Sequence, residues 1–269
     1  MSIKLVAIDI DGTLLNNKRQ ITPEVKQAIT DATNQGVKIV LTTGRPSIGI
    51  LDVIQELGLE NEDNYMIAYN GAVIQNAGSK KVLLESPLDY NDYLEMELLS
   101  RKLNIHLHVQ DFDTMYTANK EISPYTIHEA TLTGIPLAYR PVSEMTPDIK
   151  IIKAMFIGEP DHLDEVIAKI PQSYKERLSM FKSAPFYYEI LNPEATKGNA
   201  VHELATLLGI KQEEVMAIGD NENDLSMIEY AGIGVAMENA LPSVKAICNK
   251  VTLSNEANGV AHAIREWVL

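Results

Sequence analysis

Lys4-Leu5-Val6-Ala7-Ile8-Asp9-Ile10-Asp11-Gly12-Thr13-Leu14-Leu15 decides the fold. A run of apolar and small residues stopped by a glycine turn fits a strand buried on both faces, as strands of a parallel sheet are. In an open parallel sheet the ligand crevice lies beyond the carboxyl ends of the strands, which is where Asp9 and Asp11 would fall. Carboxylates rarely go inside without a cation. An all-oxygen donor set favours Mg²⁺. The alternative use of two such aspartates is to start a turn and cap the next segment.

Three further stretches come after apolar runs. Val37-Lys38-Ile39-Val40-Leu41-Thr42 leads into Thr43-Gly44-Arg45-Pro46, where a hydroxyl and open backbone N–H groups precede a helix, an arrangement suited to phosphate. Thr196-Lys197-Gly198 opens a helical pattern that runs on to Leu208. Val215-Met216-Ala217-Ile218 is followed by Gly219-Asp220-Asn221-Glu222-Asn223-Asp224, which carries more acids and amides than turn and cap duty can occupy.

Taken in order, these stretches resemble the four motifs of the haloacid dehalogenase superfamily of phosphohydrolases: Asp9-Ile10-Asp11-Gly12-Thr13, then Thr43-Gly44-Arg45, then Lys197, then the segment from Gly219 to Asp224. The long insertion between the second and third is similar to the type IIB cap of the Cof-type sugar-phosphate phosphatases. The resemblance implies a Mg²⁺-dependent phosphatase of small phosphorylated metabolites, with sugar phosphates as the expected class, working through an aspartyl-phosphate. Asp9 is the expected nucleophile. Asp11 is the expected acid and base, set against an apolar substrate pocket and repelled by Asp9, so that it can hold a proton. The metal would take the Asp9 side chain, the Asp11 main-chain carbonyl and Asp220. Phosphate oxygens would be gripped by the Ile10 and Gly44 N–H groups, Thr43 and Lys197, with Asn223 touching phosphate and Asp224 orienting the ligands from behind. Asn70, Arg45, His106 and His108 are candidate substrate contacts.

A second reading is a phosphate-sensing module like a two-component receiver, which also gathers acids, a threonine and a lysine at one sheet edge but does not turn over. Receivers are about half this length and carry no inserted domain. Phosphate release from a panel of esters separates the two.

Composition narrows the partners. The formal charge of −14 over 269 residues disfavours nucleic acid and anionic membrane, which are recognised through clustered Lys and Arg. Small phosphate esters remain admissible, because one lysine and one divalent ion correct the field locally. Cys248 is the single cysteine, so no intrachain disulfide forms. Its place in the pattern Ala240 to Lys250 reads as helix packing. The first residues enter a strand directly rather than a basic and apolar leader, and no apolar run approaches about 18 residues. The expectation is a cytoplasmic protein; oligomeric state is not legible.

The architecture expected is α/β, a Rossmann-like doubly wound parallel sheet with an inserted α+β cap. The core is assigned to 1–81 and 193–269 and the insertion to 82–192. In the core, strands are expected at Ile3 to Asp9, Val37 to Thr42 and Tyr65 to Tyr69, helices at Pro23 to Gln35 and Pro46 to Leu57, and a hairpin at Asn70-Gly71. In the insertion, prolines recur and extended segments dominate: Ile105 to Val109, Met115 to Ala118, Ile151 to Ile157, Ser179 to Lys182 and Phe186 to Leu191. With helices at Asn91 to Leu103 and Pro160 to Ile170, that pattern forms an antiparallel sheet with two helices on one face. Such an insertion reads as a lid that excludes water and contacts the leaving group. His106, His108, Tyr116, Lys153 and Tyr187 are its candidate contacts. His106 and His108 share a strand face, but no third metal ligand is spaced nearby.

Overall fold

A computed structural model describes residues 2–269. The chain begins with β1 (Leu5–Asp9), α1 (Pro23–Asn34), β2 (Lys38–Thr42), α2 (Leu51–Glu56), β3 (Tyr65–Ala68), β4 (Val73–Asn76) and β5 (Val82–Glu85). It continues through α3 (Tyr90–Leu103), β6 (His106–Gln110), β7 (Met115–Thr117), α4 (Pro124–Thr133), β8 (Leu137–Tyr139), β9 (Lys153–Ile157), α5 (Pro160–Lys169), α6 (Gln172–Arg177), β10 (Ser179–Ala184) and β11 (Tyr187–Leu191). It ends with α7 (Lys197–Leu207), β12 (Val215–Gly219), α8 (Leu225–Tyr230), β13 (Ile233–Ala236), α9 (Pro242–Ile247), β14 (Lys250–Val251) and α10 (Gly259–Trp267). Two compact units result, one of Met1–Leu84 with Thr196–Leu269 and one of Glu85–Ala195. No helix among the described residues is long and apolar enough to cross a membrane.

The first unit carries an eight-stranded sheet in the order β14-β13-β12-β1-β2-β3-β4-β5. Strands from β14 to β3 run parallel, and β4 turns back antiparallel on β3. Every residue of β1 and β12 is buried, as parallel strands covered on both faces must be. The chain leaves β1 toward β2 on one side and reaches β12 on the other, so β1 and β12 flank the switch point where such sheets bind ligands. Helices α1 and α10 pack together, as do α7 and α8.

Helix α1 shows why these ends are legible. Thr22 Oγ1 accepts the N–H of Val25 as an N-cap, and Pro23 sits in the first turn. The expected helix from Pro46 to Leu57 is instead two pieces, a 3₁₀ turn at Ser47–Ile50 and then α2. Gly49 weakens the helix there, and the Arg45 guanidinium draws off its carbonyl. The expected helix around Cys248 is also shorter: α9 ends at Ile247, leaving Cys248 half-buried just beyond it.

The second unit holds a six-stranded sheet in the order β10-β11-β9-β6-β7-β8. Its pairs are antiparallel except β7 with β8. One face is apolar: Leu107, Val109, Ala154, Phe156, Tyr188 and Ile190 pack with residues of α3 and α5. Tyr116 belongs to that face, which removes it from the company of His106 and His108. The Asn192 amide donates to the Pro87 carbonyl at 2.8 Å, tying together the two ends of the unit. Strands β5 and β8 and helices α4 and α6 were not expected. For α4 a signal was present, since Ser123 caps it, Pro124 opens it and left-handed Gly134 closes it.

His108 lies on the opposite face and is fully buried. One ring nitrogen meets Thr126 Oγ1 at 3.3 Å and the other the Met155 sulfur at 3.2 Å. It is therefore a packed core histidine and not a group free to touch a ligand. Burial, reinforced by the Lys153 ammonium, drives its pKa down to about 3. The unfolded chain takes a proton at His108 below the ordinary value of 6.5 while the folded chain resists until about pH 3, so this residue removes stability as pH falls through that window. The loss is about 1.4 kcal/mol per pH unit. His108→Asn is expected to flatten the dependence by that slope in urea midpoints measured from pH 7 to pH 4.

Candidate active site

Asp9 ends β1, and Lys197 opens α7, where Thr196 Oγ1 accepts the Asn199 N–H. Lys197 is fully buried. Its Nζ donates to Asp9 Oδ1 at 2.5 Å and to Asp224 Oδ1 at 2.6 Å. The other oxygen of Asp224 accepts the backbone N–H groups of Asp220 at 2.9 Å and Asn221 at 3.0 Å. The Thr13 hydroxyl donates to Asp220 Oδ1 at 2.8 Å. The third and fourth motifs thus close on the first through side-chain bonds, with Asp224 as the joint.

Two glycines make this closure possible. At Gly12, φ is +85°, and a Cβ there would lie 2.4 Å from Asp220 Oδ2. A Cβ on Gly219 would lie 2.5 Å from the Cβ of Asp224. Neither site accommodates a side chain without displacing the acid beside it.

Asp9, Asp220 and Asp224 present carboxylate oxygens within 4.8 Å of one another. Burial first, then repulsion by Asp224, holds the Asp9 carboxyl well above the usual carboxylate range, against the opposing pull of Lys197. Asp220 is raised by burial and by Asp224, and the Thr13 hydrogen bond partly offsets this. Burial opposes the charge on Lys197, but Asp9 and Asp224 outweigh it and push its ammonium above its ordinary value. Three carboxylates facing one ammonium leave two negative charges over, and this all-oxygen donor set suits a hard divalent cation such as Mg²⁺.

The second motif adds a polar rim. Thr43 is buried, and its hydroxyl accepts the Arg45 N–H at 3.1 Å. The Gly44 backbone approaches the Asn70 amide, which a Cβ would meet at 3.1 Å. Asn70 Oδ1 in turn accepts from Asn223 Nδ2 at 3.0 Å. The turn that presents Asn70 is not the two-residue hairpin expected. It spans Tyr69 to Ala72 between paired Ala68 and Val73, with Tyr69 at φ 50° and Asn70 at φ 55°. Two successive non-glycine residues in the left-handed region cost about 1–2 kcal/mol each.

Asp11 departs from expectation. Its side chain is 55% exposed and forms a two-pronged ion pair with Arg45, whose Nε lies 2.8 Å from Asp11 Oδ2. The surroundings are a guanidinium and solvent rather than an apolar pocket, because Arg45 reaches back across the rim. Ile10 is buried beside these groups. His106 and His108 belong to the second unit's sheet. Thr13 was missed as a positioning group, although it stands inside the first motif.

Mg²⁺ should raise the melting temperature more at pH 8 than at pH 5.5, because the raised carboxyls shed protons as pH rises and their repulsion then destabilises the metal-free fold. At a hundredfold excess over Kd the gain is about 2.7 kcal/mol, and an equal shift at both pH values in scanning fluorimetry would contradict it. Asn70→Gly should leave the melting temperature unchanged or higher, since glycine relieves the left-handed strain, while kcat/KM for a phosphate ester falls about tenfold through loss of the bond to Asn223.

The family profile of haloacid dehalogenase-like hydrolases matches residues 6–264. The chain is 51% identical to YxeH of Bacillus subtilis, which bears the provisional name of a phosphatase, over 99% of this chain and 98% of that protein. It is 32% identical to YcsE of the same organism, named 5-amino-6-(5-phospho-D-ribitylamino)uracil phosphatase, over 100% of this chain and 97% of that protein. The crystal structure of a haloacid dehalogenase-like hydrolase from Bacteroides thetaiotaomicron superposes with a TM-score of 0.85 at 31% identity, covering 98% of each chain. The chain belongs to the haloacid dehalogenase-like hydrolase family.

Proposed function

We propose that this hydrolase releases phosphate from small phosphorylated metabolites, with phosphorylated sugars and polyols as the class, through an aspartyl-phosphate on Asp9. The observation that carries the reading is the triad of Asp9, Lys197 and Asp224 at the switch point of a parallel sheet. It fixes the Asp9 carboxylate against a buried ammonium at the end of β1, beside the other acids of the cluster. YcsE, whose name specifies a phosphate on a ribityl chain, supports the polyol class.

A phosphate ester dianion repels a carboxylate, so attack requires positive charge and fixed donors around the phosphoryl group. Lys197 supplies one such charge, and Thr43 with the Gly44 and Ile10 N–H groups would supply donors. Asp9, Asp220 and the Asp11 carbonyl are the groups that would hold Mg²⁺, with Asp224 orienting them from behind; when bound, the ion neutralises the surplus charge of the cluster and polarises the phosphoryl oxygens. In the first step an Asp9 oxygen bonds to phosphorus, the bond to the alcohol oxygen breaks, and Asp11 gives that oxygen a proton. In the second step water bonds to phosphorus as Asp11 takes its proton, and phosphate departs from a restored Asp9. Arg45 sets where the Asp11 carboxyl stands before either step.

Asp9→Asn should reduce phosphate release to background with the fold intact by circular dichroism, and acid-quenched wild type should yield a phosphorylated peptide containing Asp9. Turnover within tenfold of wild type, or no acyl-phosphate under turnover, would overturn the mechanism. Asp11→Asn should slow an alkyl phosphate about 10²–10⁴-fold but affect p-nitrophenyl phosphate far less, because that leaving group departs without a proton. Equal losses on both esters would remove Asp11 from the acid role.

A further inference from the structure

The segment after β13 reaches past β12 to the turn that follows β1. In the sheet β12 stands between β13 and β1, yet residues 237–241 touch both of the turns that carry the acids. The Met237 N–H donates to the Gly219 carbonyl at 3.0 Å and the Leu241 N–H to the Asp220 carbonyl at 2.9 Å. Between them, Asn239 donates from Nδ2 to the Gly12 carbonyl at 2.8 Å. Its Oδ1 accepts the Asn255 N–H at 3.0 Å, and Asn255 Nδ2 donates to the Leu15 carbonyl at 3.0 Å. The Asn239 amide thus meets an acceptor at its nitrogen and a donor at its oxygen, the one orientation that satisfies both partners.

Ending β13 requires none of this. The Ala240 N–H closes on the Met237 carbonyl at 3.0 Å, so that turn is complete without a side chain at position 239. Asn239 is also exposed and fills no core. What its amide holds is the turn after Asp11. That turn is tied at its base, where the Leu14 N–H meets the Asp9 carbonyl at 3.1 Å and the Leu15 N–H the Ile10 carbonyl at 3.0 Å. Gly12 lies between these ties with φ at +85°, and glycine has the widest choice of backbone conformation. The Gly12 carbonyl belongs to the peptide plane next to that of the Asp11 carbonyl, and only the dihedrals of Gly12 separate the two planes. Thr13 follows directly, and its hydroxyl donates to Asp220 Oδ1. A bond to the Gly12 carbonyl therefore restrains the Asp11 carbonyl and Thr13 together.

We propose that Asn239 is a positioning residue of the Mg²⁺ site. It holds the Gly12 carbonyl so that the Asp11 carbonyl and the Asp220 carboxylate stand in place before the ion arrives. Residues 237–241 act as a strut, because they grip the backbone of Gly219 and Asp220 with two N–H groups and that of Gly12 with one side chain. Asn239 works through Gly12 and not by ligation, sparing the turn an ordering cost on binding. The inference rests on the Mg²⁺ site of the proposed function and not on which ester is hydrolysed.

The test titrates MgCl₂ by isothermal calorimetry, without substrate, into metal-stripped full-length wild type and into Asn239→Ala, Asn239→Leu and Glu256→Ala. Glu256 is the control: its Oε1 accepts the Asn17 N–H at 2.6 Å, a bond to the same stretch of chain but further from Asp11. The Mg²⁺ Kd is expected to rise about tenfold or more in both Asn239 variants and to stay within about twofold of wild type in Glu256→Ala. Asn239 variants that melt lower but keep the wild-type Kd overturn the proposal and make the bond structural. Equal rises in all three variants report a loosened loop and overturn it as well. If one Asn239 variant does not fold, the other decides by the same comparison. Wild type that binds no Mg²⁺ removes the metal site and this inference with it. Wild type that binds Mg²⁺ but releases phosphate from neither an alkyl phosphate nor p-nitrophenyl phosphate removes the phosphatase reading alone, and the calorimetric comparison still decides the role of Asn239.

Discussion

The contact of Lys197 with Asp9 and Asp224 is the constraint on which the first unit's architecture turns. An ammonium at zero exposure is unfavourable unless carboxylates meet it, and two carboxylates this close to a third are unfavourable unless cations meet them. Each group is therefore kept in place by the others, and each arrives from a different part of the chain: β1, the start of α7, and the turn after β12. The parallel register of β1 with β12 brings Ile8 level with Ile218, so that Asp9 and Gly219 leave the sheet side by side. Fold and site are one arrangement seen at two scales, because the sheet order β12-β1-β2 is what lets the acids meet.

A surplus of negative charge has consequences beyond the aspartates. Added to burial, the larger cause, it raises Asp9 and Asp220 and so favours the protonated forms, which do not attack, where no cation offsets the charge. A divalent ion reverses that field. Substrate reinforces the logic, because a phosphate dianion entering an uncompensated acidic cluster would be expelled. The acidic chain as a whole, at −14, repels anions except where the charge is locally inverted, which disfavours large anionic ligands.

Much of this was legible in the sequence because it rests on short-range rules. Buried strands read as unbroken apolar runs; glycine after a run marks the sheet edge; Thr22 and Pro23 mark where α1 begins. What was not legible depends on partners distant in the chain. That Arg45 folds back onto Asp11, that Tyr69 joins Asn70 in a left-handed turn, and that Thr126 and Met155 occupy His108 are outcomes of packing, which local pattern does not encode. Helix α4 is a different case: its capping serine, leading proline and closing glycine are all signals in the sequence, but they stand in a proline-rich stretch whose prevailing pattern is extended.

The two buried lysines sharpen the contrast between the units. Each stands between a pair of carboxylates, yet Lys197 is held at 2.5 and 2.6 Å and Lys153 at 3.5 and 3.7 Å. Two short contacts use two of an ammonium's three donors and hold it in place, leaving one for the phosphoryl group that every substrate shares. Long contacts offset part of the charge of the two carboxylates without closing to full charge-assisted hydrogen bonds. The tighter pairing stands at the end of β1, beside the proposed nucleophile, and the looser one inside the second unit's sheet, so one residue type in the same company of acids is held differently through the spacing of its partners alone.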